Sequence, residues 1–262
     1  MKHLFTITIL FLFTGILRSQ AQVDTINVSS HKLITAQLKP GLRQYLVYFQ
    51  RADRHKSLLL TLWTRNIKLE QFNGEQVFKT EQHWYGSDTA TYRAITSINR
   101  KSDFAPLYHS ESIGGKLKAY NWGPKQVAGA DTVKENLAKD FKLNFEVPNL
   151  NWNLDIETFE MLPLAKGKIF AINFYDAGLT PPAYVNYKVT GDEIITLLDN
   201  QKVDCWKLST EGKSPNGTTY TETYWISKKN HEFLKEEDNF NGMYRYKIKL
   251  SGAAPDLLTR FK

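Results

Sequence analysis

The residue types able to do covalent or metal chemistry are sparse in this chain. It has six histidines and one cysteine, Cys205. His31, His55, His83, His109 and His231 contain no pair four residues apart, the helical spacing that places two imidazoles on one metal, and a single thiol builds neither a thiolate site nor an internal disulfide. His109 and Glu111 stand two apart, which puts them on one face of a strand, able to hold a metal or relay a proton but lacking a third ligand. His83-Trp84-Tyr85 reads as a cluster at a sheet end. A serine nucleophile needs Gly-x-Ser-x-Gly at a strand-to-helix turn; that motif is absent, and Gly86-Ser87-Asp88 is turn chemistry. Gly114-Gly115 joins two strands and is not followed by Lys-Ser/Thr, so it is no phosphate loop. Glu81, Glu111, Glu157 and Glu222 could supply the paired carboxylates of glycan hydrolysis, but nothing in their spacing selects two of them. Cys205 lies beside Trp206 in a strand and reads as a small buried hydrophobe. The expectation is a protein with no catalytic residue, no metal site and no cofactor. A glycan-active hydrolase is the weaker enzymatic alternative.

What remains is aromatic. The chain holds six Trp, thirteen Tyr and fifteen Phe. Phe170, Ile172, Phe174, Tyr187, Trp206, Trp225, Tyr244 and Tyr246 fall on alternate strand positions and are expected on one side of a sheet. Such a set either fills a core or lines a partly filled interior that takes a lipid or other apolar ligand.

The elements that must position these residues are strands. From Lys202 to Leu250 four short alternating segments are separated by turns, the pattern of an antiparallel meander. In its last segment Tyr244, Tyr246, Ile248 and Leu250 are expected to be buried, and Arg245, Lys247 and Lys249 exposed. Asn73-Gly74 and Asn241-Gly242 are two-residue hairpin signals. The stretch 43–54 could be strand or helix. Residues 57–70 read as a long strand covered on both faces near its start, and 141–147 as an amphipathic strand ending at Pro148. The best helix candidate spans 153–162, with Asp155 as its cap, Phe159 and Leu162 on one face, and Pro163 as its limit. Consecutive hairpins favour a mainly β fold: one large curved antiparallel sheet, a half-barrel or open barrel, with one or two short helices on the concave side.

The N-terminus carries an address. Met1-Lys2-His3, an apolar run from Leu4 to Leu17 and small residues at Ser19 and Ala21 predict a secretory signal peptide over 1–21, cleaved after Ala21. A membrane anchor is the alternative reading of that run. No cysteine near the cleavage point could accept a lipid. Residues 22–262 then form one β-rich domain in the periplasm or outside the cell, with no membrane-spanning segment. The net charge of +7 is spread over alternate strand positions and not gathered in a stripe, so nucleic acid is not an expected partner.

The succession MLPLAKGKIFAINFYD, YVNYKVTGDE, VDCWKLS, YWISKKNHEFLK and a last strand rich in Tyr and Lys resembles a bacterial envelope family catalogued as domain of unknown function 3108. The resemblance covers roughly 58–250 and is strongest after Met161; residues 121–144 fit it least. It implies an architecture similar to lipoprotein carriers, in which a curved sheet wraps helices and can hold acyl chains. It implies a fold and a compartment but no reaction. Two functional expectations follow: binding of a lipid or apolar ligand in the concavity, or association with an envelope protein partner.

Overall fold

The computed structural model describes residues 22–179, 181–213, 217–252 and 257. The expected signal peptide over 1–21 and its cleavage point lie outside them. The strands are β1 (Val23–Ile26), β2 (Gly41–Arg51), β3 (Leu58–Phe72), β4 (Glu75–Tyr85), β5 (Arg93–Arg100), β6 (Pro106–Ile113), β7 (Lys116–Trp122), β8 (Gln126–Gly129), β9 (Lys142–Asn144), β10 (Leu150–Asn151), β11 (Ile169–Tyr175), β12 (Ala183–Thr196), β13 (Lys202–Lys213), β14 (Thr219–Ser227), β15 (Phe233–Phe240) and β16 (Met243–Lys249); the one α-helix among the described residues, α1 (Asp155–Glu160), lies between β10 and β11.

All sixteen strands belong to one sheet that does not close into a barrel. β11 to β16 follow in chain order, β16 pairs with β2, and β2 to β9 follow in order again. The sheet is therefore two meanders joined where the chain's late and early strands meet, with Ile248 opposite Leu46. Local chemistry sets the hairpins. Asn73-Gly74, Gly114-Gly115 and Asn241-Gly242 all have positive φ at both residues, the backbone of the two-residue turn that matches strand twist. The sheet is antiparallel except at one edge, where β1 and β10 both lie parallel to β11.

α1 sits in the concavity. Its Phe159 ring packs on Tyr187, Tyr224 and Phe174 at 4.8, 4.7 and 6.2 Å, while its carboxylates reach β2 and β3 on the other side. Asp155 is the first helical residue and Leu154 holds the cap position; the element is shorter than 153–162 because a 3-10 turn, Trp152–Leu154, leads into it. Phe159 and Leu162 are both buried in the main core, as their spacing predicts.

Several expectations are corrected. The stretch 43–54, open between strand and helix, is strand as far as Arg51, the end of β2, and a 3-10 turn over Ala52–Arg54. The alternation over 141–147 yields only the three residues of β9, and Phe141, Leu143 and Phe145 instead cover a small cluster around Tyr120 and Trp122. The start of β3 is covered on neither face: Leu58, Leu59 and Leu60 are 49, 56 and 54% exposed, because β4 pairs with β3 only from Leu62 onward.

The faces of β16 are the reverse of the expected ones. Directly opposite residues in an antiparallel pair point to the same side. Lys247 faces Glu236 and Val47, both fully buried, so Arg245, Lys247 and Lys249 point to the core and Tyr244, Tyr246 and Ile248 point outward. The burial is tolerated because β15 and Glu232, the residue just before it, supply a carboxylate for each cation. Glu236 holds Lys247, Glu236 and Asp238 hold Arg245, and Glu232 takes Lys249 at 2.5 Å. Outside, Tyr246 stacks on Tyr48 at 4.8 Å.

Candidate functional site

α1 buries two chemically different stripes. Ile156 and Phe159, three apart, face the apolar inner surface of β11 to β14, while Glu157 and Glu160, also three apart, face β2, β3 and β15. Glu160 lies 2.7 Å from Arg43 Nη1 through both carboxylate oxygens, and its Oε1 also accepts the Phe233 backbone N–H at 2.9 Å. Arg65 donates to Glu157 at 2.5 Å and lies 3.5 Å from Asp155. Beside them Glu236, Lys247, Arg245 and Asp238 continue the ionic region. Burial pushes the Glu236 carboxyl up, yet Lys247 and Arg245 beside it hold it well below the usual carboxylate range. Burial and the Glu236 charge beside it push Asp238 up, while Arg245 pulls it the other way. One half of the concavity is thus hydrocarbon and the other half is ion pairs.

The expected aromatic set divides. Phe170, Ile172, Phe174 and Tyr187 are 0 to 2% exposed and packed in the main core with α1. Zero accessible surface means no water-sized space adjoins these side chains. Trp206 is half-buried and packs on the same core from the inner face. Trp225 is on the opposite face, clustered with Cys205 and Leu234 under Lys207 and Lys235. Tyr244 and Tyr246 also point outward. The period-two pattern was sound within each strand, but it does not say which phase faces inward, and here charge pairing across β15 and β16 decides it.

The expected chemistry pairs resolve as structural contacts. His109 is fully buried, and burial pushes it down to about 3. Its Nδ1 lies 3.0 Å from Ser97 Oγ and accepts from the Asn151 amide at 3.1 Å, a neutral imidazole in a sealed polar cluster. Glu111 turns away from His109 to Arg93, which also bonds Asn153 at 3.2 Å and lies over Trp84 at 4.2 Å. Burial pushes the Cys205 thiol up to about 12, so it is held as the neutral thiol. Among the described residues no group of three His, Cys, Asp or Glu is placed to hold a metal ion. Nor is any helix among them long and apolar enough to cross a membrane.

The ion pair of Arg43 and Glu160 forms the floor of a depression of about 550 Å³, where β2 and β15 begin. Its walls come from Gln37, Lys39, Lys229, Asn230, His231 and Glu232. Charge is unbalanced here. Arg43 neutralises Glu160, and Lys249 neutralises Glu232 from outside the lining, which leaves Lys39 and Lys229 without a carboxylate among the described residues. Burial lowers His231, so its ring is neutral at pH 7, and its Nδ1 and Gln37 Oε1 are buried with no partner in the protein. Each such orphan costs about 1–3 kcal/mol. None of these six residues stands out in the sequence, since they come from two separate segments, 37–39 and 229–232. The one available signal was Glu157 and Glu160, two acids three apart in a short helix that also carries the apolar Ile156 and Phe159.

The family model described as "Protein of unknown function (DUF3108)" matches residues 44–249. Among solved structures, the chain is similar to a beta-barrel-like protein of domain of unknown function DUF1849 from Brucella abortus, with a TM-score of 0.51 and 11% identity over 81% of this chain and 96% of that one. A DUF1329 family protein from Desulfovibrio piger overlaps 86% of this chain and 92% of its own at 8% identity, with a TM-score of 0.29. No curated protein matches the chain. The first likeness bears on the fold alone: a barrel-like sheet.

Proposed function

The chain belongs to the DUF3108 family of proteins of unknown function, and we propose that it is a non-enzymatic binding protein of the cell envelope whose ligand is an anion held over the Arg43–Glu160 pair. The observation that carries this reading is the depression of about 550 Å³ with two uncompensated lysines, Lys39 and Lys229, above a buried ion pair. Lysine ammonium groups act as mobile point charges suited to a carboxylate or phosphate group. The neutral His231 ring adds a donor that needs no counter-charge, and Gln37 Oε1 an acceptor for a ligand hydroxyl or water. An envelope address rests on the apolar N-terminal run.

An amphiphile with an anionic head fits this site better than a wholly apolar molecule fits the concavity. Carriage of an acyl chain along Phe170, Ile172, Phe174 and Tyr187 would require α1 to leave, breaking its ion pairs to Arg43 and Arg65. Removing one partner of such a pair costs about 3–5 kcal/mol.

Thermal unfolding of the chain beginning at Gln22, with increasing inorganic phosphate, a short-chain carboxylate and a long-chain carboxylate, tests the proposal. A ligand at a hundredfold excess over its Kd stabilises by about 2.7 kcal/mol. The expected result is a saturable rise in melting temperature with at least one anion, lost in the Lys39→Glu/Lys229→Glu variant. No saturable rise with any of them, or one that the variant retains, overturns the proposal.

A further inference from the structure

At the far end of β2 from that depression, the β2–β3 ribbon projects beyond its neighbour. β3 pairs with β2 from Leu58 onward but with β4 only from Leu62, so one edge of the ribbon is free over residues 58–61. On its outer face Leu58 lies opposite Gln50, and Leu60 opposite Tyr48, which in turn faces and stacks on Tyr246. Tyr244 continues the row, 6.3 Å from Tyr246. Arg51 at the end of β2 and Asp53, Arg54, His55 and Lys56 in the connecting loop are all exposed. Asp53 is taken by Arg51 at 2.9 Å, and Arg54 and Lys56 have no ion pair among the described residues. An apolar leucine–tyrosine face with an uncompensated basic fringe is thus built on a ribbon that stands clear of the sheet.

We infer that this face docks the protein on an anionic lipid surface. Three features select a bilayer over a protein partner. Tyrosine and leucine together suit the headgroup–acyl boundary, where the hydroxyls stay wet and the rings and branched tips are buried. Arg54 and Lys56, on the loop beside the face, can lay their stems along it and keep their charges among lipid phosphates. Leu59 is exposed on the opposite side of the same ribbon, beside Phe49. A flat protein surface would cover one side only, whereas a fluid interface can wrap the free edge and both sides. The free edge also offers strand pairing to a second copy or to a peptide, and the test separates those outcomes.

Co-sedimentation of the chain beginning at Gln22 with vesicles of phosphatidylethanolamine and phosphatidylglycerol, and with vesicles of phosphatidylcholine alone, reads the inference. Binding to the anionic vesicles is expected at low salt and should weaken at high salt. Arg54→Glu/Lys56→Glu and Leu58→Ser/Leu60→Ser are each expected to weaken it about tenfold, with urea midpoints close to wild type because the four residues are exposed. Lys39→Glu/Lys229→Glu, at the opposite end of β2, should bind vesicles as wild type does, which keeps this result separate from the anion depression. No preference for anionic vesicles overturns the inference. So does binding unchanged in both ribbon variants, or a change in sedimentation from dimer to monomer in the leucine variant without a change in vesicle binding.

Discussion

Lys247→Met and Ile248→Asp, adjacent on β16, should have opposite consequences to those that alternation suggests. Lys247 is 2% exposed, its ammonium is held by Glu236, and it lies over the Trp63 and Phe233 rings at 5.1 and 5.8 Å. Methionine keeps most of the stem's volume but leaves the fully buried Glu236 with Arg245 as its only cation. Breaking one side of a buried pair costs about 3–5 kcal/mol. Arg245 offsets part of that, so the lower end is expected. Ile248 is half-buried on the outer face beside Leu46, where an aspartate can turn to water, and the expected cost is about 1 kcal/mol. With a urea slope of about 3 kcal/mol per molar for a chain of this size, Lys247→Met should lower the midpoint by about 1 M and Ile248→Asp by about a third of that. Lys247→Met/Glu236→Gln should recover part of the loss, because it removes the stranded charge. Equal midpoints for the two single variants, or a larger loss for Ile248→Asp, would refute the assignment of faces.

Further outcomes follow from other contacts. His109 is neutral in the fold, so its contribution is fully present above pH 6.5, the ordinary histidine value, and declines as pH falls toward about 3. Denaturation midpoints should therefore drop on acidification by on the order of 3 kcal/mol by about pH 4, and His109→Gln, which keeps an acceptor for Asn151, should flatten that slope. At Gly129 an added Cβ would lie 1.9 Å from the Ala138 carbonyl oxygen, so Gly129→Ala should cost several kcal/mol in a thermal melt while Gly191→Ala, with open space around it, should cost little. Arg43→Met strands Glu160 at the base of α1 and should cost about 3 kcal/mol in urea, with loss of any anion-induced stabilisation.

The β architecture was legible because turns and alternation are local. Asn73-Gly74 and Asn241-Gly242 are hairpins in the expected places, and the short helix before Pro163 is present. Two things were not legible. The first is the phase of β16: the sequence shows tyrosines alternating with cations, and hydrophobicity alone sends the tyrosines inward. Only the register with β15, which sets Glu236 against Lys247 and Asp238 against Arg245, reverses it. The acids at 236 and 238 and the bases at 245 and 247 share that spacing across Asn241-Gly242, so the signal was present as a charge pattern. The second is the depression over Arg43 and Glu160, assembled from positions 37, 39, 43, 160 and 229–232. Contacts between residues more than a hundred positions apart follow from the meeting of β16 with β2, which no local pattern encodes. The start of β3 shows the converse: three consecutive leucines read as doubly covered, but coverage depends on where β4 ends.

Native mass spectrometry of the gently purified protein, as wild type and as Lys39→Glu/Lys229→Glu, tests the central claim most directly. The account predicts a wild-type mass either bare or raised by a single anionic species, and a variant that carries nothing. A bound neutral acyl lipid retained equally by wild type and variant would contradict it, placing the ligand among Phe170, Ile172, Phe174 and Tyr187 with α1 displaced.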